Sequence, residues 1–391
     1  MHNYIPLSIP NFEGNEKKYV NEAIDQGWVS TGGTFITKLE QAMAQFLKVE
    51  TIAACQSGTS AIHLSLVEVG VKPGDVVLVP SLTFIASVNP VKYQFATPVF
   101  IDCDDSFCMD PIKLISFCRE ECQWDGACLK YKNATVKAIV IVHVFGNMAD
   151  MESIMDIADE YNLSVIEDAT EALGTKYTSG KYAGKYAGTI GDFGAFSFNG
   201  NKIITTGGGG AVVAKSSKTV DHIRFLSTQA KTDPHYYIHD EIGYNYRMTN
   251  IQAAIGVAQM EELPEFIMRK QNNYNIYKRE FSECDLVELM PFREKTSSNK
   301  WFYSLKIDRD RVLAPMREII CKLDSYGIQT RAIWGLINEQ KPYLLEETYR
   351  LEKAPYYANR ILNIPSSTQI TEEEIKRVAN TVKQVLKELS E

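Results

Sequence analysis

Residues 138–168 read AIVIVHVFGNMADMESIMDIADEYNLSVIED, and the order of patterns inside this stretch decides the fold. Ala138-Ile139-Val140-Ile141-Val142 is apolar without interruption and ends near His143. An amphipathic segment over 150–161 follows, and then Leu163-Ser164-Val165-Ile166 runs into Glu167-Asp168. Alternation of polar and apolar residues marks a strand with one wet face, whereas a continuous apolar run marks a strand covered on both faces. The stretch therefore predicts strand, helix, strand. Upstream, Val76-Val77-Leu78-Val79 ends at Pro80 in the same way, and amphipathic patterns occupy 58–70 and 82–93. Repetition of this unit implies right-handed crossovers and a mostly parallel central sheet, an α/β fold. Ligands of such sheets bind beyond the carboxyl ends of the strands, where Asp168 stands.

Outward from this core, 391 residues exceed one ordinary domain. A helical pattern begins at Thr249-Asn250, a plausible N-cap, and runs through 251–283. Beyond it the sequence changes character, with a strand expected at Trp301-Phe302-Tyr303 and helices near 313–326 and 371–389. The division expected is a large domain over 1–284, N-terminal segment included, and a smaller C-terminal α/β domain over 285–391. Net charge is −8 with no block of like charges, which disfavours nucleic acid as a partner. No apolar run approaches membrane-spanning length, and Met1–Pro6 lacks the basic and apolar regions of an export signal. The eight cysteines then read as reduced thiols of a cytoplasmic protein. Cys118, Cys122 and Cys128 lack the CxxC spacing and a nearby His, so no metal is expected there.

Three segments carry chemistry. Ser57-Gly58-Thr59-Ser60-Ala61-Ile62 follows an expected strand over Thr51–Ala54 and opens a helix. Its free N–H groups and dipole favour an anion such as a phosphate, and Thr59 and Ser60 add hydroxyls; a plain N-cap is the alternative. Asp168 can keep a pyridine nitrogen protonated, or simply cap the next helix. Phe196-Ser197-Phe198-Asn199-Gly200-Asn201-Lys202 leads into Gly207-Gly208-Gly209-Gly210. A buried lysine loses its charge readily and becomes a nucleophile able to form a Schiff base; a surface lysine before a turn is the alternative. The lysine precedes the glycines, so this is not a Walker loop. An anion cup, a ring-nitrogen acid and a Schiff-base lysine are together the contacts that pyridoxal 5'-phosphate needs.

At these residues the chain resembles the DegT/DnrJ/EryC1/StrS family of sugar aminotransferases, from Gly27-Trp28-Val29-Ser30 to the C-terminal region. The resemblance implies the fold type I architecture of pyridoxal-phosphate enzymes and a homodimer with shared active sites. It implies that Lys202 carries the cofactor, that Asp168 meets its ring nitrogen, and that Thr59, Ser60 and Ser197 hold its phosphate. It implies that Phe84 stacks on the ring and that Asn245 reaches the phosphate from the other subunit. Glu171 stands where a Gln or His often approaches the phenolic oxygen, and Gly208 where the family usually has Glu.

Phe198–Thr206, Arg224–Ala230 and Trp334–Ile337 look most like the aminotransferases of the bacillosamine and legionaminic acid routes of glycan biosynthesis. That likeness implies transfer from L-glutamate to C4 of a UDP-linked 4-keto-6-deoxy-N-acetylhexosamine. Other nucleotide-linked keto-sugars, such as dTDP-linked 3-keto or 4-keto sugars, are the alternative, with a non-catalytic cofactor-binding protein behind them. The related sugar dehydratases would carry His in place of Lys202. Arg247 and Arg331 are candidates for anionic substrate groups, or else structural ion pairs. His143 reads as a structural histidine after its strand.

Overall fold

The computed structural model describes residues 4–233 and 235–390, so part of the segment read for an export signal, Met1–Asn3, lies outside the described residues. A mixed sheet organises the larger part of the chain. Its strands lie in the order Ala53–Cys55, Gly210–Ala214, Phe193–Ser197, Ser164–Asp168, Ala134–Val142, Val76–Pro80, Thr97–Ile101, Thr348–Tyr349. Gly210–Ala214 runs antiparallel to both neighbours, and every pairing from Phe193–Ser197 onward is parallel. A hairpin, Cys122–Trp124 with Leu129–Tyr131, hangs on the start of Ala134–Val142. Cys118, Cys122 and Cys128 sit on or beside this hairpin as free thiols.

The continuous apolar runs are explained by what covers each face. Val76, Leu78, Ile139, Ile141 and Val165 belong to one core cluster, while Val77, Val79, Ala138, Val140 and Ile166 belong to another on the opposite face. Side chains alternate across a strand, so two apolar layers need apolar residues at every position. Helices Met151–Tyr161 and Gly58–Val69 form as the patterns predict. The pattern over 82–93 does not become one helix. Residues 81–84 are irregular, Ile85–Ser87 is a 3-10 turn and only Asn89–Tyr93 is α-helical. Pro90 has no N–H to donate backward, so it is confined to the first turn of a helix that must start beside it.

The long helix Asn250–Phe281 begins on a capping box in which Thr249 and Gln252 satisfy each other's backbone. Its last turns contribute Tyr274, Tyr277 and Phe281 to a third core, with Ile5 and with Ile375, Val378 and Val382 of helix Glu372–Glu388. That core backs an antiparallel sheet ordered Val287–Leu289, Tyr303–Ile307, Ile361–Ile364, Arg331–Ala332. Trp301 and Phe302 precede the second of these strands instead of lying in it, because both are buried against Phe145 of the larger layer. Backbone pairing crosses the expected cut at 284/285, and Thr296–Ser297 pairs with Lys176–Tyr177 across it. Ile5 exchanges backbone hydrogen bonds with Gly327 and Gln329, and Thr348–Tyr349 returns to pair with Thr97–Ile101.

Lys270, on the long helix, is buried, and its Nζ donates to Trp301 O and Ser366 O, both at 2.6 Å. Burial pushes its ammonium down from 10.5 to about 7. Between these values the unfolded chain keeps a proton that the folded chain gives up, so this group adds stability as pH rises through the window, and nothing further below it. Lys270→Met strands two buried carbonyls and is expected to cost about 2–4 kcal/mol. Urea unfolding at pH 6.5 and pH 9 checks both parts. The gap between wild type and variant should be wider at pH 9, and a gap that stays constant contradicts the assignment.

Candidate active site

A cavity of about 490 Å3 opens at the carboxyl ends of the parallel strands, between the two sheets. Three elements deliver its chemistry. The helix Gly58–Val69 points its N-terminus into it, with Ser57 as N-cap accepting from the N–H of Ser60 at 3.0 Å. The next N–H groups, of Gly58 and Thr59, belong to the first turn and have no carbonyl within the helix to meet. Thr59 lines the cavity, whereas the Ser60 hydroxyl turns to that of Ser57, 2.8 Å away. Ser197, at the end of its strand, lines the same wall. A Cβ on Gly58 would come within 2.7 Å of Thr170 and 2.9 Å of Ser197, so the cup keeps its shape only without one.

Asp168 ends the strand Ser164–Asp168 and is 2% exposed. Its carboxylate accepts from Ser87 Oγ at 2.6 Å and from the N–H of Thr170 at 3.1 Å, both uncharged donors. Ser87 is held in turn beside Thr83, at 3.1 Å. Glu167, one residue earlier, faces the other way. It accepts from the N–H groups of Gly188, Ile190 and Gly191 and meets His143 Nε2 at 2.8 Å. Nδ1 of His143 accepts from Ala149 N, so this histidine is a structural link away from the cavity.

Lys202 extends into the cavity from a turn after Phe193–Ser197, with its side chain 13% exposed. Its Nζ lies 3.4 Å from Glu171 Oε1 and 4.3 Å from the ring centroid of Trp301. Trp301 is fixed by donation from its indole N–H to Asn201 O at 2.8 Å. Glu171 is buried, and its other oxygen accepts from Phe145 N at 2.8 Å. Burial raises its carboxyl above the usual range, against the opposing pull of the Lys202 charge and the Phe145 N–H.

Phe84 lines the mouth, 53% exposed, with its ring 6.5 Å from that of Trp334. Arg331 and Asn363 reach the lining from the smaller sheet. Besides Ser60, two expected residues lie outside the lining. Arg247 is committed to Glu40 at 2.7 Å and to Ala54 O at 3.1 Å, the structural ion pair that was its alternative reading. Asn245 is exposed and bridges to Thr228, outside the lining of its own chain's cavity. Ser87, Phe145, Thr170 and Asn363 were not foreseen as site residues, because each is identified only by what the fold brings beside it.

These residues fit pyridoxal phosphate. A helix N-terminus suits its phosphate, a buried carboxylate without a charged partner suits a pyridinium, and a lysine amine shares their cavity with an exposed aromatic face.

Residues 10–383 match the DegT/DnrJ/EryC1/StrS aminotransferase family. The chain is 37% identical to a putative pyridoxal phosphate-dependent aminotransferase, EpsN, of Bacillus subtilis, covering 97% of this chain and 95% of that one. It is also 37% identical to the GDP-perosamine synthase of Caulobacter vibrioides, covering 98% of each. The crystal structure of DesI with its TDP-sugar product superposes with a TM-score of 0.87 at 25% identity, covering 99% of this chain and 94% of that one.

Proposed function

The chain belongs to the DegT/DnrJ/EryC1/StrS aminotransferase family, and from this we propose that it transfers the amino group of L-glutamate to C4 of a UDP-linked 4-keto-6-deoxy-N-acetylhexosamine. The protein is a pyridoxal-phosphate-dependent transaminase of fold type I. The observation that carries the reading is the meeting of an anion-binding helix end, Asp168 and Lys202 in one cavity.

When bound, pyridoxal phosphate supplies a ring that takes up the negative charge left as a proton departs the substrate carbon. The chain does the rest. The helix end at Gly58 and Thr59 holds the phosphate, aided by Ser197. Asp168 keeps the ring nitrogen protonated, and Ser87 and Thr170 keep Asp168 aimed. Lys202 Nζ is the amine that would hold the cofactor and, once freed, would carry the proton to and from the substrate carbon. Glu171, 3.4 Å from Nζ, orients that amine. The nucleotide binds remotely and contributes orientation, and Arg331 at the mouth is placed to meet an anionic substrate group.

The nucleotide has a second reading. The identity to GDP-perosamine synthase favours a GDP-linked keto-sugar over the UDP-linked one indicated by Phe198–Thr206, Arg224–Ala230 and Trp334–Ile337. Purified protein incubated with glutamate and a panel of UDP-, GDP- and dTDP-linked 3-keto and 4-keto sugars, read by mass spectrometry, decides between them. Amination of the UDP-linked 4-keto-N-acetyl sugar is expected. Preference for a GDP-linked sugar moves the assignment to the second reading, and amination of none of them overturns both.

We also propose a homodimer in which Asn245, exposed and outside its own chain's cavity, completes the partner's site. Lys202→Ala and Asn245→Asp subunits, each inactive alone, are expected to regain activity when mixed, since one site of each heterodimer is intact. Verified heterodimers that stay inactive would count against sharing.

A further inference from the structure

Trp301 reaches the cavity from the chain just ahead of strand Tyr303–Ile307, and each of its polar groups is tied down. Its backbone N–H donates to Asn299 Oδ1 at 3.1 Å, and its carbonyl accepts from Lys270 Nζ at 2.6 Å and Ser366 Oγ at 3.1 Å. Its indole N–H donates to Asn201 O at 2.8 Å, and its ring packs on Phe145. The residue is only 2% exposed, yet its ring lies under Lys202 Nζ, 4.3 Å from the centroid. Trp301 therefore meets the lysine at both ends, at the peptide before it and at its head. Glu171 Oε1 stands 3.4 Å from the same Nζ. Asn299 joins these two partners, since its Nδ2 donates to Glu171 O at 3.0 Å while its Oδ1 accepts from Trp301. A fixed electron-rich face beside a carboxyl is a receptor for an ammonium.

We propose that Trp301 is a positioning residue whose ring face seats the Lys202 ammonium whenever that amine is not bonded to the cofactor. The proposal rests on the reading of Lys202 as the cofactor-bearing lysine. In amino transfer the C–H bond of the substrate carbon breaks, its electron pair stays on that carbon and spreads into the bound ring, and the proton goes to Nζ. Nζ then gives a proton to the cofactor carbon that Lys202 had held. Between the two transfers the amine is an ammonium, and it must stay beside both carbons instead of swinging into solvent. The Trp301 face holds it there by cation–π attraction. A weaker face destabilises the states in which Lys202 is free and leaves its Schiff base untouched. Cofactor should then bind more tightly while amino transfer slows, a pairing that damage to the fold does not produce.

The test uses the full-length protein with mono-, di- and trifluorotryptophan placed at position 301 alone. Fluorine withdraws electron density from the ring face and keeps its shape and its indole N–H. Affinity for pyridoxal phosphate is measured by titrating it into the protein and reading Schiff-base absorbance. The glutamate half-reaction is followed by stopped flow, with ordinary glutamate and with glutamate deuterated at the α-carbon. Along the series the cofactor dissociation constant and the half-reaction rate should both fall, each by about threefold or more at trifluorotryptophan. The deuterium isotope effect should rise, and Tm should match wild type. Trp301→Phe, which keeps a weaker face, should give the same opposed pair. Weaker cofactor binding together with slower transfer, or a lower Tm in the fluorinated series, would make Trp301 a structural residue and overturn the proposal. Constants that do not respond to fluorine would overturn it as well. Wild type run in parallel separates the two claims, because failure there to form any Schiff base overturns the reading of Lys202 itself.

Discussion

Lys202→Ala is expected to abolish amino transfer, lowering turnover by about four orders of magnitude or more, because in the proposed mechanism one amine both anchors the cofactor and moves the proton. The fold should survive the change. Among the described residues, the polar and ring partners of Lys202 Nζ are Glu171 and the face of Trp301. Glu171 keeps its bond from Phe145 N, and its already raised carboxyl can take up a proton when the cation is lost. A melting temperature close to wild type, with no turnover above background, is therefore the expected pair of results. Turnover within tenfold of wild type would remove Lys202 from the chemistry.

Asp168→Asn is expected to reduce turnover by roughly two orders of magnitude or more, the scale of losing one well-placed electrostatic group. Geometry changes little. Asn can still accept from the N–H of Thr170, and Ser87 can reverse its hydroxyl to accept from the new amide while donating to Thr83. What disappears is the charge proposed to keep the ring nitrogen protonated. Cofactor should still bind, through the helix end and Lys202, so binding and turnover must be measured separately. Wild-type turnover would leave Asp168 as a cap for Thr170. Glu171 would then be the acid to test, since Glu167 is turned away onto three backbone N–H groups and His143.

The central sheet was legible because its signal is dense. Strands with a different apolar cluster on each face must be apolar at every residue, and Val76–Val79 and Ala138–Val142 were. Asp168 was read from its place at the carboxyl end of an apolar strand, and Lys202 from its setting among small and apolar residues ahead of the glycine turn. Three features left no trace. Thr348–Tyr349 is a two-residue strand, too short for any period, so its return to the larger sheet could not be read. Ser87 is one hydroxyl among many until the fold sets it 2.6 Å from Asp168. Arg247 finds Glu40 across 207 positions of sequence, and a long-range ion pair has no local pattern. Trp301 was visible but misplaced, since an apolar triplet does not distinguish a strand from a loop packed on a neighbouring layer.

The most direct measurement is peptide mapping after borohydride reduction of the holoenzyme. Lys202 shares its cavity with Asp168 and the helix end at Gly58, whereas Lys270 is occupied by Trp301 O and Ser366 O. The reduced cofactor should be recovered on the peptide containing Lys202 and on no other. Recovery on a different lysine, or a protein from which reduction traps no cofactor at all, would contradict the assignment of this cavity as the active site.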